Sequence, residues 1–301
     1  MIGVIAKGAV RVSEVEQESH CTPTSTALQG IASVMAGSLP GTLNFIVGIQ
    51  YVVSSGDRTH VSDYVLLQAT SPSQPGYLYG WQWVTLTGLT GFIGTAVGFA
   101  FSGMFTSSYS GTLTEFRLIG ACYQDTDELG NPIIVCPPLF TMALSLSVAQ
   151  GTTVQFYSTI VAGLSGWSVI ARSNYTGTIS TVTANAHFLR NVSMLFLPRP
   201  VASLANATPR GYIASLIVST LRATTQVSAG LSQLTYHASL TPGSSLSIGT
   251  IRWVGRDTLY ITYPSASTMT LLNTLSVVLS TAMSLRSATT HYFTLLITFT
   301  S

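Results

Sequence analysis

The sequence predicts an all-β protein, built from jelly-roll or β-sandwich domains with a short N-terminal arm and one short helix. Short segments rich in β-branched and aromatic residues recur about every 8–12 residues, and Gly, Pro, Asn and Ser turns separate them. Charged residues make up only 7% of the 301 residues, against about 25% in an ordinary soluble domain. Because the hydrophobic content is an ordinary 47%, Ser, Thr and Gly have replaced the charges, which argues against a polytopic membrane protein.

Residues 1–37 are predicted to form the arm and the helix. The arm ends at Pro23, and Thr24 or Ser25 can cap a helix that Gly37 ends. The first residues lack the basic start and the long apolar stretch of a signal peptide, so we expect no export signal. The apolar positions that follow a helical period are Ala27, Leu28, Ile31, Ala32, Val34 and Met35.

A first β domain is predicted at residues 38–128, with an uncharged core rich in Gly and aromatic residues. From Tyr64 to Thr114 there is no Asp, Glu, Lys, Arg or His. Three environments would suit the centre of this run, residues 88–105: the buried core, a contact with another subunit, or a membrane. Its hydroxyls, its lack of flanking cations and its length of about 18 residues count against a membrane span. We therefore predict Gly-rich buried strands, or a loop packed against another subunit.

Strand-like segments occur on both sides of that run and continue to the C-terminus. In residues 77–86, aromatic residues alternate with small or polar ones, which is typical of a strand with two unequal faces. Residues 265–285 fit one helix about as well as two strands. The other predicted strands are residues 43–53, 60–67, 112–119, 139–148, 152–161, 167–171, 177–184, 192–197, 213–221, 246–254, 258–263 and 291–299.

A linker is predicted at residues 129–138, followed by an Arg-bearing β domain at residues 139–301. Residues 123–138 combine an acidic cluster, a Gly-Asn-Pro turn and a Pro pair. The sign of the charge changes there, since four basic and nine acidic residues precede residue 129 whereas eight arginines and one aspartate follow it. The split indicates that the two halves meet, within or between subunits, or that the basic half faces an anion.

The three cysteines, Cys21, Cys122 and Cys136, are too few for a disulfide framework, and their number is odd. Cys122 and Cys136 flank the turn-rich segment. Two states are therefore consistent with the sequence: a disulfide that closes a hairpin, or a pair of reduced buried thiols. We favour the reduced thiols.

Catalytic motifs are absent, so we expect no enzymatic activity, no catalytic residue and no cofactor. The chain lacks a Gly-x-Ser-x-Gly elbow, a phosphate-binding loop and a His-Glu-x-x-His site, and its Cys and His are not at zinc-ligand spacing. Asp125, Asp127 and Glu128 faintly resemble a calcium loop but lack the distal Glu, so a solvated linker is preferred and no metal site is expected. The acidic arm and the scattered arginines put nucleic-acid contact in doubt.

In general character the chain resembles the coat or surface proteins of non-enveloped viruses. The resemblance rests on the low charge, the Ser/Thr/Gly-rich strands, the N-terminal arm and the lack of export and catalytic motifs, and it includes no family motif. It implies a structural protein of the virion: a shell, minor or projecting capsid subunit that self-assembles with copies of itself and with other particle proteins. The candidate subunit-interface residues are Gly91, Phe92, Phe99, Phe101, Arg190, Arg199 and Arg210.

Two other functions remain open on the sequence alone. One is a non-viral, self-assembling surface or filament protein. The other is an all-β carbohydrate-binding module, in which Tyr79, Trp81 and Trp83 on one face of a strand form an aromatic platform for a glycan or receptor. Membrane contact through the uncharged run is less favoured than either a buried or a subunit-contact position.

Overall fold

The structure is a computed structural model in which strands dominate the described residues, as the sequence predicts, and one short helix is described over its full length. It describes residues 2–36, 46–62, 65–67, 77–87, 92, 94–120, 123–165, 172–173, 179–186, 188–189, 192, 213, 215–261 and 267–300. For some residues within these elements it describes the backbone alone. In chain order the elements are β1 (Ile2–Val12), β2 (Val15–Pro23), α1 (Ser25–Met35), β3 (Gly48–Ser55), β4 (Arg58–Val61), β5 (Val65–Leu66), β6 (Tyr77–Thr87), β7 (Thr95–Thr106), β8 (Gly111–Ile119), β9 (Tyr123–Thr126), β10 (Pro132–Val135), β11 (Pro138–Val148), β12 (Thr153–Leu164), β13 (Arg172–Ser173), β14 (Ile179–Ala184), β15 (Ser215–Val218), β16 (Leu221–Thr224), β17 (Gln226–Gly230), β18 (Gln233–Leu240), β19 (Leu246–Ile261), β20 (Ser267–Leu285) and β21 (His291–Thr300).

Strands of the N-terminal half form two sheets together with β11 and β12. Sheet I has the strand order β2-β1-β12-β7-β6, and every pair in it is antiparallel. Sheet II has the order β11-β8-β3, and β4 and β5 both pair with β3. β2 joins the two sheets, because its last two residues pair with β11.

An aromatic core holds sheet I against sheet II. Tyr51 of β3 stacks on Phe105 of β7 with ring centroids 4.5 Å apart. Phe116 of β8 lies 5.1 Å from Phe156 of β12, again measured between ring centroids. All four side chains are buried, and burying a side chain of this size contributes about 1.5–3 kcal/mol. The Tyr51 hydroxyl also accepts a hydrogen bond from the Ser108 N–H at 2.7 Å, so its polar end is satisfied.

The C-terminal strands form a second pair of sheets. Sheet III has the order β17-β18-β21, with β13 on the other side of β21. Sheet IV has the order β14-β20-β19-β15-β16. Tyr236 of β18 and Trp253 of β19 are both fully buried, and their ring centroids lie 6.4 Å apart. Sheet III therefore packs face to face on sheet IV, and the described strands form two β-sandwich units.

Two connections join the sandwiches. The end of β21 pairs in parallel with the start of β1, so sheets I, II and III form one 14-stranded hydrogen-bonded network. Helix α1 contacts β11 on one side and β17, β18 and β21 on the other. Thr24 caps this helix as predicted, since its Oγ1 accepts from the Ala27 N–H at 3.2 Å. The apolar face that α1 buries consists of Ala27, Ile31, Ala32 and Met35.

Sheet pairing groups several segments differently from the local sequence pattern. Residues 265–285, open between helix and strands, contain the single long strand β20. Residues 129–138, predicted as a linker, contain strand β10, which pairs with β9 as a hairpin. β11 and β12 fall in the predicted second domain but pair with strands of the first half. The jelly-roll alternative stays a prediction.

Candidate functional site

The predicted interface residues fall into three groups. Phe99 and Phe101 on β7 are 0% and 4% exposed, so their rings pack inside the chain, whereas the sequence analysis placed them at a subunit contact. Phe92 is half-buried, and its ring lies over Gly163, where an added Cβ would be 2.7 Å from Phe92 Cδ1. The remaining candidates lie outside the described residues, so their place at an interface stays a prediction. They are Gly91, Arg190, Arg199 and Arg210.

The centre of the uncharged run is an inner strand of sheet I. β7 lies between β12 and β6, and Gly98 is the register partner of Val161 on β12. A Cβ added to Gly98 would lie 1.9 Å from the Ile160 carbonyl oxygen and 2.6 Å from Val161 Cα. Glycine at this position allows the two backbones to approach closely. Burial in the chain's own core therefore accounts for the lack of charge in β7.

The segment between β8 and β11 forms a separate two-stranded unit, the β9–β10 hairpin (residues 123–135). The last residue of β8 pairs with the first residue of β11, and the Gly120 N–H donates to the Pro137 carbonyl oxygen at 2.9 Å. β9 and β10 then continue this ribbon as an antiparallel sheet of their own. The predicted linker is thus an extension of two neighbouring strands.

Asp127 builds the turn of the β9–β10 hairpin. Its Oδ1 accepts from the N–H groups of Leu129 at 2.9 Å and Asn131 at 2.8 Å, and its Oδ2 accepts from Asn131 Nδ2 at 3.0 Å. The hydrogen bond from the Asn131 side chain, followed by those from the backbone, holds the pKa of Asp127 below its ordinary value. The carboxylate that the sequence compares with a calcium ligand is therefore engaged in the turn.

The β9–β10 hairpin exposes large apolar side chains. Leu129 is 87% exposed, Ile134 61%, Tyr123 48% and Ile133 40%. The pairing register places Tyr123 and Ile133 on one face of the hairpin and Ile134 on the other, so both faces carry apolar area. These four residues are not among the contact candidates predicted from the sequence. Their signal is an Ile-Ile-Val stretch directly after a Gly-Asn-Pro turn.

The cysteines differ in state. Cys136, at the base of the hairpin, is disulfide-bonded, and Cys21 is free and buried. The preference for reduced thiols in this region was therefore wrong for Cys136; Cys122 lies outside the described residues. A hairpin that buries little apolar surface benefits from a covalent link, since the link restricts the unfolded chain. Burial raises the pKa of Cys21 to about 12, because the thiolate would lose its hydration.

One surface of sheet IV, which we call the arginine face, carries two arginines in a single cross-strand row. Arg222 of β16 and Arg252 of β19 are both register partners of Ile217 on β15. Both arginines are exposed, and neither forms an ion pair with any described residue. The members of the arginine face are Thr181, Thr183, Ser215, Ile217, Arg222, Thr224, Thr250, Arg252, Val254, Thr274, Ser276 and Val278.

The ion pairs of the described residues are local. Arg11 Nη2 lies 2.5 Å from Glu16 Oε2, and Arg117 Nε lies 2.8 Å from Glu115 Oε1. Each pair joins residues of the acidic half, and both are partly exposed, so each contributes at most about 1 kcal/mol. Within the part of the chain that the structure describes, no ion pair joins the acidic half to the Arg-bearing half.

An open cavity of about 410 Å³ lies on the outer face of sheet I. Ala9 of β1 has Glu18 of β2 and Tyr157 of β12 as its register partners, so a small side chain lies between two large ones. His20 and Thr159 also line the cavity, which therefore offers a carboxylate, an imidazole, a hydroxyl and an aromatic ring. No group of three His, Cys, Asp or Glu among the described residues is placed to hold a metal ion.

No helix within the described ranges is long and apolar enough to cross a membrane. Comparisons with protein families, curated proteins and solved structures gave no match. The chemistry of the β9–β10 hairpin, the arginine face and the cavity is therefore the basis for assigning a role to each.

Proposed function

We propose that this chain is a structural subunit of a virus particle, located in the virion, which assembles with copies of itself and with other particle proteins through largely uncharged β surfaces. The observation that carries the proposal is the β9–β10 hairpin, whose four large apolar side chains are exposed while both sandwiches bury extensive cores. An exposed apolar patch on an ordered element marks a surface that another molecule covers.

The composition of the surface supports assembly over a free monomer. With only 7% charged residues, neighbouring copies repel one another weakly, and association is little opposed. The virion part of the proposal rests on the general resemblance to coat proteins of non-enveloped viruses.

Self-association of the purified protein tests the proposal. We expect oligomers or particles at micromolar concentration, measured by light scattering and negative-stain electron microscopy. Leu129→Ser combined with Ile134→Ser removes apolar contact area and should weaken association at least about tenfold. Leu231→Ser is the matched control, because Leu231 is 76% exposed at the β17–β18 turn, away from the hairpin. A wild-type protein that stays monomeric contradicts the proposal.

A non-viral filament or sheath subunit would use the same surfaces and would pass the association test. The shape of the assembly separates the two functions. Closed shells or projections on a shell support the viral function, and open filaments of this chain alone support the non-viral one.

Carbohydrate binding is a second candidate, favoured by the cavity on sheet I. Tyr157 is 41% exposed and can stack on a sugar ring, while Glu18 and His20 can hydrogen-bond its hydroxyls. Tyr157→Ala should abolish glycan-array binding and Tyr157→Phe should retain it; a wild-type protein without signal removes this candidate. The sequence predicts a different glycan platform, which includes Trp81 and Trp83. These two residues are the register partners of Phe101 and Phe99 on β7, and both of these phenylalanines are buried.

A further inference from the structure

The β9–β10 hairpin, called the arm from here on, has a fixed shape, and no other described segment covers it. A two-stranded hairpin is at best marginally stable by itself in water, yet here the Asp127 carboxylate fixes the turn, and Cys136 beside the base of the hairpin is disulfide-bonded. Asp125 and Glu128 are exposed, and neither forms an ion pair with a described residue. The arm therefore presents apolar area together with two unpaired negative charges.

The arginine face has the complementary chemistry. Arg222 and Arg252 flank Ile217 in one row, and Val278, 36% exposed, lies in the neighbouring row. Thr and Ser fill most of the other positions, and none of the described residues of this face is acidic. Unpaired cations beside apolar area thus match unpaired carboxylates beside apolar area, as expected of two surfaces that bind each other.

The spacing of the charges also matches. Arg222 and Arg252 lie two strands apart in sheet IV, so their Cα atoms are separated by about 10 Å. Asp125 lies in β9 and Glu128 in the turn that follows it, so three residues of chain separate their Cα atoms by at most about 10 Å, which allows this pairing. One arm lying across the strands of sheet IV can therefore bring each carboxylate to one guanidinium.

We propose that the hairpin of one copy docks on the arginine face of a second copy, with Asp125 and Glu128 paired to Arg222 and Arg252. This inference rests on the proposed function, because it names the surfaces that self-association uses. The occupant is a second copy, since both complementary surfaces belong to this chain and no described ion pair joins them within one chain. A contact between two different surfaces is heterologous, so its repetition produces rings or extended arrays, as a particle requires.

Charge reversal tests the docking. The first variant reverses the arm by Asp125→Arg with Glu128→Arg, and the second reverses the face by Arg222→Glu with Arg252→Glu. Each variant alone brings like charges together, so its association constant should fall at least about tenfold, measured by analytical ultracentrifugation. An equimolar mixture should associate again, because the reversed arm meets the reversed face and the native arm meets the native face.

The matched control is Arg286→Glu with Asp57→Arg, which reverses two exposed charges outside both surfaces and should leave association unchanged. Restoration in the mixture also shows that both variants fold. If the wild-type protein is monomeric, the proposed function fails and the docking fails with it. If the wild type associates but the two variants associate equally well, or their mixture stays apart, the docking is overturned and self-assembly stands.

Discussion

Strand β7 and the β9–β10 hairpin show how poorly local charge identifies an association surface. β7 carries no charge and lies between two strands of sheet I, with Phe99 and Phe101 buried. The hairpin carries three acidic residues but exposes Leu129 and Ile134. The difference comes from their neighbours, since among the described strands β9 and β10 pair only with each other. In β7 the lack of charge accompanies burial, whereas the exposed apolar area of the hairpin lies among charges.

The buried side of this comparison predicts that Gly98→Ala is strongly destabilising. The added methyl would overlap the Ile160 carbonyl oxygen, so β7 or β12 must shift. We expect the free energy of unfolding to fall by about 3 kcal/mol, measured by chemical denaturation. Gly249→Ala is the control, because Gly249 has no atom within 4 Å of an added Cβ, and it should change stability by less than about 0.5 kcal/mol. Equal effects of the two substitutions would show that β7 is loosely packed.

The buried thiol of Cys21 predicts a loss of stability at alkaline pH. Its pKa is about 12 in the folded protein against an ordinary 9.0, so the folded state keeps the thiol neutral while the unfolded state ionises. The stabilisation is complete below pH 9 and is lost as the pH rises from 9 towards 12, by up to about 1.4 kcal/mol per pH unit. Cys21→Ala should flatten this part of the pH profile in chemical denaturation. An unchanged slope would mean that Cys21 does not control it.

The exposure of the β9–β10 hairpin predicts that residues 123–135 can be removed without loss of the fold. Replacing residues 123–135 with an Asn-Gly turn should close the β8–β11 ribbon, because the Gly120 N–H already lies 2.9 Å from the Pro137 carbonyl oxygen. We expect the free energy of unfolding to change by less than about 1 kcal/mol, whereas self-association is lost. Light scattering and thermal unfolding measure the two effects. A large fall in stability would place the hairpin in the core, and unchanged association would remove it from the contact.

Local patterns predict the helix and many of the strands, but they do not indicate β1, β2, β17 or β18. Alternation over residues 77–86 predicts β6, and the Thr24 cap predicts the start of α1. They do not predict which strands meet, because β1 pairs with β12 some 150 residues along the chain, from Ile2 with Leu164 onward. The arginine face has the same origin, since Arg222 and Arg252 share a row only through Ile217. The hairpin likewise depends on the pairing of β8 with β11, which the local sequence pattern does not predict.

The hairpin turn predicts a purely local effect of acid. Hydrogen bonds hold the pKa of Asp127 below its ordinary 3.8, so the carboxylate stabilises the turn above that pH, and this is lost as the pH falls through the folded-state value. The protection of the Leu129 and Asn131 amides, taken relative to their intrinsic exchange rate at each pH, should therefore fall in acid, and Asp127→Ala should lack this protection at every pH. Asp125→Ala is the control, because the Asp125 carboxylate accepts only from the N–H of its own neighbour, Thr126.

Association of Asp127→Ala then sharpens the comparison further. The substitution leaves the apolar side chains and both unpaired carboxylates of the arm in place, and it removes the turn bonds together with the Asp127 charge. Asp127→Asn separates the two, because it removes the charge but keeps a side-chain oxygen that can accept from the N–H groups of Leu129 and Asn131. Weaker association with an unchanged thermal midpoint would mean that docking needs the shape of the arm as well as its charges. Wild-type association would mean that the charges and the apolar contacts suffice.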